Sequence, residues 1–94
     1  DLAAHGIRCN AINPDAVLEG SGIWNDRWRA ETAAMLGIQP DQLQEHYRKR
    51  TLLGVDVRAD DCAEAICWLA GPAASRTTGA TIPVDGGVRE GFLR

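Results

Sequence analysis

Few residues in this 94-residue sequence have the type and spacing to do chemistry, and most of those stand alone. His5 and His46 are the two histidines; each is a candidate general base, but neither sits beside a serine or cysteine, so both read as surface histidines. Cys9, Cys62 and Cys67 make an odd count, contain no Cys-x-x-Cys, and place Cys62 and Cys67 five apart on an expected helix, pointing in different directions. They read as buried reduced thiols rather than a disulfide or a zinc site, and no metal site is expected. Arg27, Arg29, Arg48 and Arg50 could meet a phosphate, although for most of them a solvated face is the simpler reading. What remains is the stretch from Gly6 to Trp24. Ile7, Cys9, Ala11 and Ile12 form a mostly apolar run that stops at Asn13-Pro14 and opens into a loop. Pro14 has no N–H to give a ladder and pushes Asn13 toward extended geometry. Open α/β sheets bind ligands just outside the carboxyl ends of their strands, so the loop from Asn13 onward is the first place to look. Asp15 is either an Asx-type turn stabiliser or a substrate contact. Ser21, Trp24 and Trp28 could cover a substrate; packing and contact are both open for Trp24, and Trp28 reads as packing.

The elements that must position this loop follow from periodicity and punctuation. Residues 1–6 read as a last helical turn closed by Gly6, and residues 7–12 as a buried strand. Residues 25–36 form a helix ended by Gly37, and Pro40 opens another that runs to Arg50, with Glu45 and Lys49 paired on its exposed face. The clearest helix spans 59–70, with Cys62, Ile66, Leu69 and Ala70 in one stripe and Gly71-Pro72 as the stop. Its first turn holds Asp60 and Asp61; Asp61 and Glu64 could make a capping box, unless the N-cap lies earlier. Residues 81–84 form a second strand whose Pro83 demands an edge position, and Asp85-Gly86-Gly87 turns the chain away. Strands so far apart pair in parallel through a helical crossover. Two strands cannot cover several amphipathic helices, so the apolar faces imply a larger sheet upstream.

The length fits one small domain. The net charge of -3 and a pI near 5.2 argue against a general nucleic-acid binder. Nothing approaches the roughly 18 consecutive apolar residues that span a bilayer. No signal-peptide apolar region occurs either, so no membrane partner and a cytoplasmic location are expected. The chain opens on Asp1 part-way through a helix end and is expected to be a fragment or a processed product.

Residues 6–14, Gly-Ile-Arg-Cys-Asn-Ala-Ile-Asn-Pro, resemble the penultimate strand of short-chain dehydrogenase/reductases. Asp61-Cys62-Ala63-Glu64-Ala65, Leu69-Ala70 and Thr78-Gly79-Ala80-Thr81-Ile82-Pro83-Val84-Asp85-Gly86-Gly87 resemble the last helix and last strand of the same family. Order and spacing agree over essentially the whole chain. The stretches 13–18, 20–24 and 46–53 narrow the resemblance to the dehydrogenase half of bifunctional rhamnulose-phosphate aldolase/short-chain dehydrogenases. Two positions depart from the family pattern: Asp15 replaces the usual glycine, and Glu19 the threonine that commonly binds the nicotinamide carboxamide. Ser21 could substitute for that threonine by chemistry, not by alignment.

The resemblance implies an α/β fold, with residues 1–94 forming the C-terminal strand–helices–strand part of a Rossmann-like doubly wound parallel sheet whose nucleotide-binding half is absent. It implies NAD or NADP as cofactor of the intact protein, bound in part by Pro14, Asp15, Ala16 and Val17. Ser21 and Trp24 would bind the substrate, a small hydroxy-aldehyde such as lactaldehyde or its alcohol. It implies further a homo-oligomer and an aldolase domain upstream. The catalytic Ser and the Tyr-x-x-x-Lys pair lie outside these residues: Tyr47 is followed four residues on by Thr51. The 94 residues alone are therefore expected to be inactive. An alternative is a non-catalytic assembly module that uses the last helix and the edge strand.

Overall fold

The computed structural model describes residues 2–91. A single-turn helix (Leu2–His5) leads to β1 (Ala11–Pro14), then α1 (Asp26–Leu36), a 3-10 turn (Pro40–Gln42) that runs into α2 (Leu43–Arg50), α3 (Ala59–Ala70), a second 3-10 turn (Pro72–Ala74), β2 (Thr81–Val84) and a last turn at Arg89–Gly91. The two strands pair in parallel, Ala11 opposite Thr81 through Pro14 opposite Val84, with the helices in the connection between them. This is the α/β arrangement the spacing required.

The helices start and stop where their flanking residues dictate. The Asn25 side chain accepts the Trp28 N–H at 2.8 Å and caps α1. Gly37 ends it at φ +72°, and the Ile38 N–H reaches back to the Ala33 carbonyl at 3.0 Å. For α3 the cap lies earlier than an Asp61–Glu64 pair would place it: Arg58 is the N-cap, and the Asp61 carboxylate accepts the Arg58 N–H at 2.8 Å.

The first strand begins four residues later than its apolar run suggests. Residues 8–10 do run beside the segment before β2, but side chains hold them there. The Cys9 N–H donates to Thr78 Oγ1, and the Cys9 carbonyl accepts the Gly79 N–H. Asn10 acts as an extra peptide unit: its Nδ2 donates to the Thr77 carbonyl and its Oδ1 accepts the Ala80 N–H, both at 3.0 Å. The regular ladder starts with the Ala11 N–H on the Ala80 carbonyl and reaches past Pro14 to the Asp15 N–H on the Val84 carbonyl. Residues 11 and 15 thus face β2, and Pro14, out of phase with them, lacks its N–H on the opposite edge. Pro83 is out of phase with the Ala80 and Val84 carbonyls in the same way, as its edge position required.

Burial departs furthest from the sequence reading. Ile7 is about half exposed, β1 carries no buried residue, and α3 buries only Leu69, with Ile66 at 51% exposure. Cys9 and Cys67 are exposed and Cys62 half-buried; all three are free, so the expectation of buried thiols fails. The physical reason is common to all: among the described residues the sheet has two strands, too few to cover its own faces and α3. The tightest packing lies elsewhere, beneath the loop that follows β1. Leu18, Ala33 and Leu43 form its buried centre, with Ala16, Trp24, Ile38 and Tyr47 packed around them.

Candidate functional site

The loop of residues 15–25 leaves the carboxyl end of β1, and the structure anchors it at both ends. At the start, the Asp15 carboxylate accepts from Arg50 Nη2 at 3.3 Å; the Asp15 side chain is 13% exposed and that of Arg50 42%. The Arg50 guanidinium also lies 5.3 Å from the centre of the Tyr47 ring. At the far end Arg29, on α1, donates to the Trp24 carbonyl at 2.7 Å and to the Leu18 carbonyl at 3.0 Å. Arg29 is therefore a loop anchor and not part of a solvated face. Arg27, by contrast, makes an exposed i,i+4 pair with Glu31 and no other pair among the described residues.

Between the anchors the backbone is open. Among the described residues neither the N–H nor the C=O of Ala16 or Val17 has a hydrogen-bond partner. Ala16 turns its methyl into the Leu18–Ala33–Leu43 cluster, while Val17 is half-buried. The free N–H and C=O of Val17, at a strand's carboxyl end, can give one hydrogen bond to the oxygen and accept one from the NH2 of a primary carboxamide. Pro14 is exposed, and Asp15 is committed to an ion pair rather than to an Asx turn. Glu19 is exposed, with its carboxylate 4.0 Å from Arg58 Nε.

Ser21 is half-buried, and its N–H donates to the Leu18 carbonyl at 3.4 Å. Trp24 packs edge-on against Tyr47 at 5.6 Å and against Trp28 at 6.3 Å between ring centres. Of the two readings open for Trp24, packing is therefore realised, and the ring stays half-buried. His46 stacks edge-on against Tyr47 and is half-buried, not a free surface residue.

The end of β2 is held by an equally specific set. Asp85 Oδ1 accepts the Gly87 N–H at 2.9 Å, the turn role its sequence context implied. Thr51, buried just after α2, bridges to Val88, while the Leu52 and Leu53 N–H groups donate to the Gly87 and Gly86 carbonyls. Nearby, Arg48 grips Asp56 with two bonds of 2.8 and 3.1 Å, and Gln44 adds a third at 3.1 Å. The Arg48 hydrogen bond holds the Asp56 carboxyl below its ordinary range, and the same pair raises the Arg48 guanidinium. A groove of about 620 Å³ opens beside this region, between Leu53, Val55, Val84 and Gly86. A smaller one of about 420 Å³ runs between residues 6–12 and the Ile66–Ala70 end of α3. Neither is lined by Pro14–Val17, Ser21 or Trp24. Among the described residues there is no cluster of metal-ligating side chains and no helix long and apolar enough to cross a membrane.

Comparison with known proteins gives this geometry a family. A family model described as enoyl-(acyl carrier protein) reductase matches residues 1–89. The chain belongs to the short-chain dehydrogenase/reductase family. It is 57% identical over 89 residues to the uncharacterized oxidoreductase YuxG of Bacillus subtilis (strain 168), an alignment covering 95% of this chain and 13% of that protein. It is 35% identical over 89 residues to L-xylulose reductase of Bos taurus, covering 93% of this chain and 31% of the relative. Among solved structures, sorbitol-6-phosphate 2-dehydrogenase SrlD of Erwinia amylovora superposes with a TM-score of 0.79 at 26% identity, over 93% of this chain and 33% of the other. The chain thus spans a third or less of the length of these three relatives.

Within this short-chain dehydrogenase/reductase chain, the sequence reading missed the arginines that hold the loop. Arg29 and Arg50 carry no local signature, since their partners lie in other elements. A signal for Arg50 did exist: Asp15 puts a carboxylate at the end of an apolar strand, and a carboxylate partly buried there needs a cation nearby.

Proposed function

We propose that this chain is the C-terminal, nicotinamide-facing part of an NAD- or NADP-dependent oxidoreductase that interconverts an alcohol and a carbonyl. The observation that carries the reading is the pair of free backbone groups at Val17, held at the carboxyl end of β1 between the Arg50 and Arg29 anchors. Pro14 sets the exit from the strand, Asp15 fixes the turn, Ala16 ties it to the core, and the Val17 N–H and C=O bind the nicotinamide carboxamide. When bound, the cofactor supplies or accepts the hydride. The chain's own task is to orient the ring and to exclude water from one side of it with the Ser21–Trp24 segment, in which Ser21 and Trp24 are half-buried and Ile23 is exposed, and which also contacts the substrate. The proton passes through a tyrosine outside these residues, so the 94 residues by themselves carry no turnover.

The substrate class we assign is a small hydroxylated carbonyl compound or the corresponding alcohol, with a hydroxy-aldehyde such as lactaldehyde as the specific choice. Relatives named for L-xylulose and sorbitol 6-phosphate support the class. The stretches 13–18, 20–24 and 46–53 support the specific choice. The same 89 aligned residues make up 13% of the Bacillus protein and 31% of L-xylulose reductase, so the former is more than twice as long, which leaves room for a second unit such as an aldolase. A homo-oligomer of the intact, cytoplasmic enzyme belongs to the same reading, supported by the resemblance of α3 and β2 to the last helix and last strand of the family.

Steady-state kinetics on the full-length protein test the site. Val17→Pro removes one donor and constrains Ala16. Loss of a single hydrogen bond, about 0.5–1.5 kcal/mol, raises the cofactor KM about two- to tenfold, whereas Val17→Ala, which keeps the N–H, stays near wild type. A folded Val17→Pro enzyme with unchanged cofactor KM would overturn the assignment.

A further inference from the structure

We infer that the Asp15–Arg50 ion pair is a positioning contact that sets the cofactor-binding backbone of this enzyme, with Arg50 acting through Asp15 and not on the substrate. The inference rests on the proposed cofactor role of Val17. Asp15 is the residue at which the β1–β2 ladder ends: its N–H makes the last bond, to the Val84 carbonyl at 3.1 Å, and its carboxylate meets Arg50 Nη2 at 3.3 Å. The backbone at position 15 is thus fixed from two directions, by the sheet and by the last residue of α2. The free Ala16 and Val17 groups come directly after it.

Arg50 is itself held. Its guanidinium lies against the Tyr47 ring, and Tyr47 packs edge-on against Trp24 at the other end of the same loop. The side chain therefore links the loop's entry to the aromatic cluster at its exit. The Asp15 carboxylate is largely withdrawn from water, so removing its cation leaves a poorly solvated charge beside the Ala16–Val17 backbone. Arg50 suits the task because its planar fork can meet a carboxylate and lie against a ring at once. Pro14 cannot supply a compensating N–H on its own edge.

The test is kinetics on the full-length enzyme with Asp15→Asn, Arg50→Ala, Arg50→Lys and the Asp15→Asn/Arg50→Ala double variant, cofactor and substrate varied separately. A pair with one half-exposed partner supports an effect of about two- to fivefold. The expected result is a rise of that size in cofactor KM for each of Asp15→Asn and Arg50→Ala, with no further rise in the double variant. Substrate KM and kcat at saturating cofactor stay within twofold of wild type, and Arg50→Lys, which keeps the cation but loses the planar fork, recovers only part of the loss. Additive effects in the double variant, or a change confined to substrate KM, would overturn the inference. Asp15→Asn is nearly isosteric and keeps the test open if Arg50→Ala fails to fold. Val17→Pro in the same assay separates the two readings: if it raises the cofactor KM while Asp15→Asn does not, the positioning role falls alone; if both are silent, the cofactor site falls with it.

Discussion

Gly86 and Gly54 offer a controlled comparison of what a close backbone approach costs in this fold. The two residues have nearly the same backbone, φ +65° and +64°, so alanine at either meets the same left-handed penalty, about 1–2 kcal/mol. Their surroundings differ. A Cβ at Gly54 would meet nothing within 4 Å, whereas a Cβ at Gly86 would lie 2.9 Å from Thr51 Cβ and 3.2 Å from its methyl. Thr51 has little room to withdraw: it is buried, its hydroxyl donates to the Arg48 carbonyl at 2.9 Å, and the same oxygen accepts the Val55 N–H at 3.1 Å. Overpacking against such a residue costs about 1–3 kcal/mol in addition. Urea unfolding of the full-length protein should therefore show Gly86→Ala less stable than Gly54→Ala by about 1–3 kcal/mol, with Gly54→Ala itself down by about 1–2 kcal/mol. Equal losses within about 0.5 kcal/mol would refute the argument that Thr51 and Gly86 are locked together.

Two further outcomes follow from polar contacts. Asp56 is held below its ordinary value of 3.8 by the Arg48 hydrogen bond, so its contribution to stability is fully present above that pH and is lost as pH falls through the lower folded-state value. Asp56→Asn should accordingly be less stable than wild type at pH 6, with the gap closing as pH drops below 3.8 in thermal melts; a gap independent of pH would count against the pair. Arg8 donates to the Leu69 carbonyl at 2.7 Å, and at longer range to those of Thr77 and Gly71, so it closes the C-terminal end of α3. Arg8→Ala should cost about 1–3 kcal/mol in urea unfolding, and a neutral result would show that water replaces these bonds without penalty.

Much of the fold was legible because its signals are local. Asn25 and Gly37 bracket α1, Gly71-Pro72 ends α3, and two separated apolar runs with a helical connection require a parallel pair. Pro83 announced an edge for the same reason: a missing N–H is a property of one residue. The position of β1 was not legible, because the partners of Arg8, Cys9 and Asn10 lie 61 to 70 residues away and replace a ladder that the apolar run alone suggested. Burial misled in the same direction. Cys9, Cys67 and Ile66 have the chemistry of core residues but sit on faces that two strands leave uncovered. At the candidate site, sequence pointed to the loop after Pro14 but not to its anchors, since Arg29 and Arg50 act across elements that no local pattern connects.

In the proposed enzyme the main chain at Val17 receives the nicotinamide carboxamide. A crystal structure of the full-length protein grown with NAD, and a second with NADP, measures this directly. The expected result is the carboxamide within hydrogen-bond distance of the Val17 N–H and C=O, with Asp15 still paired to Arg50. A nicotinamide ring seated elsewhere, with the Val17 groups bonded only to water, would contradict it.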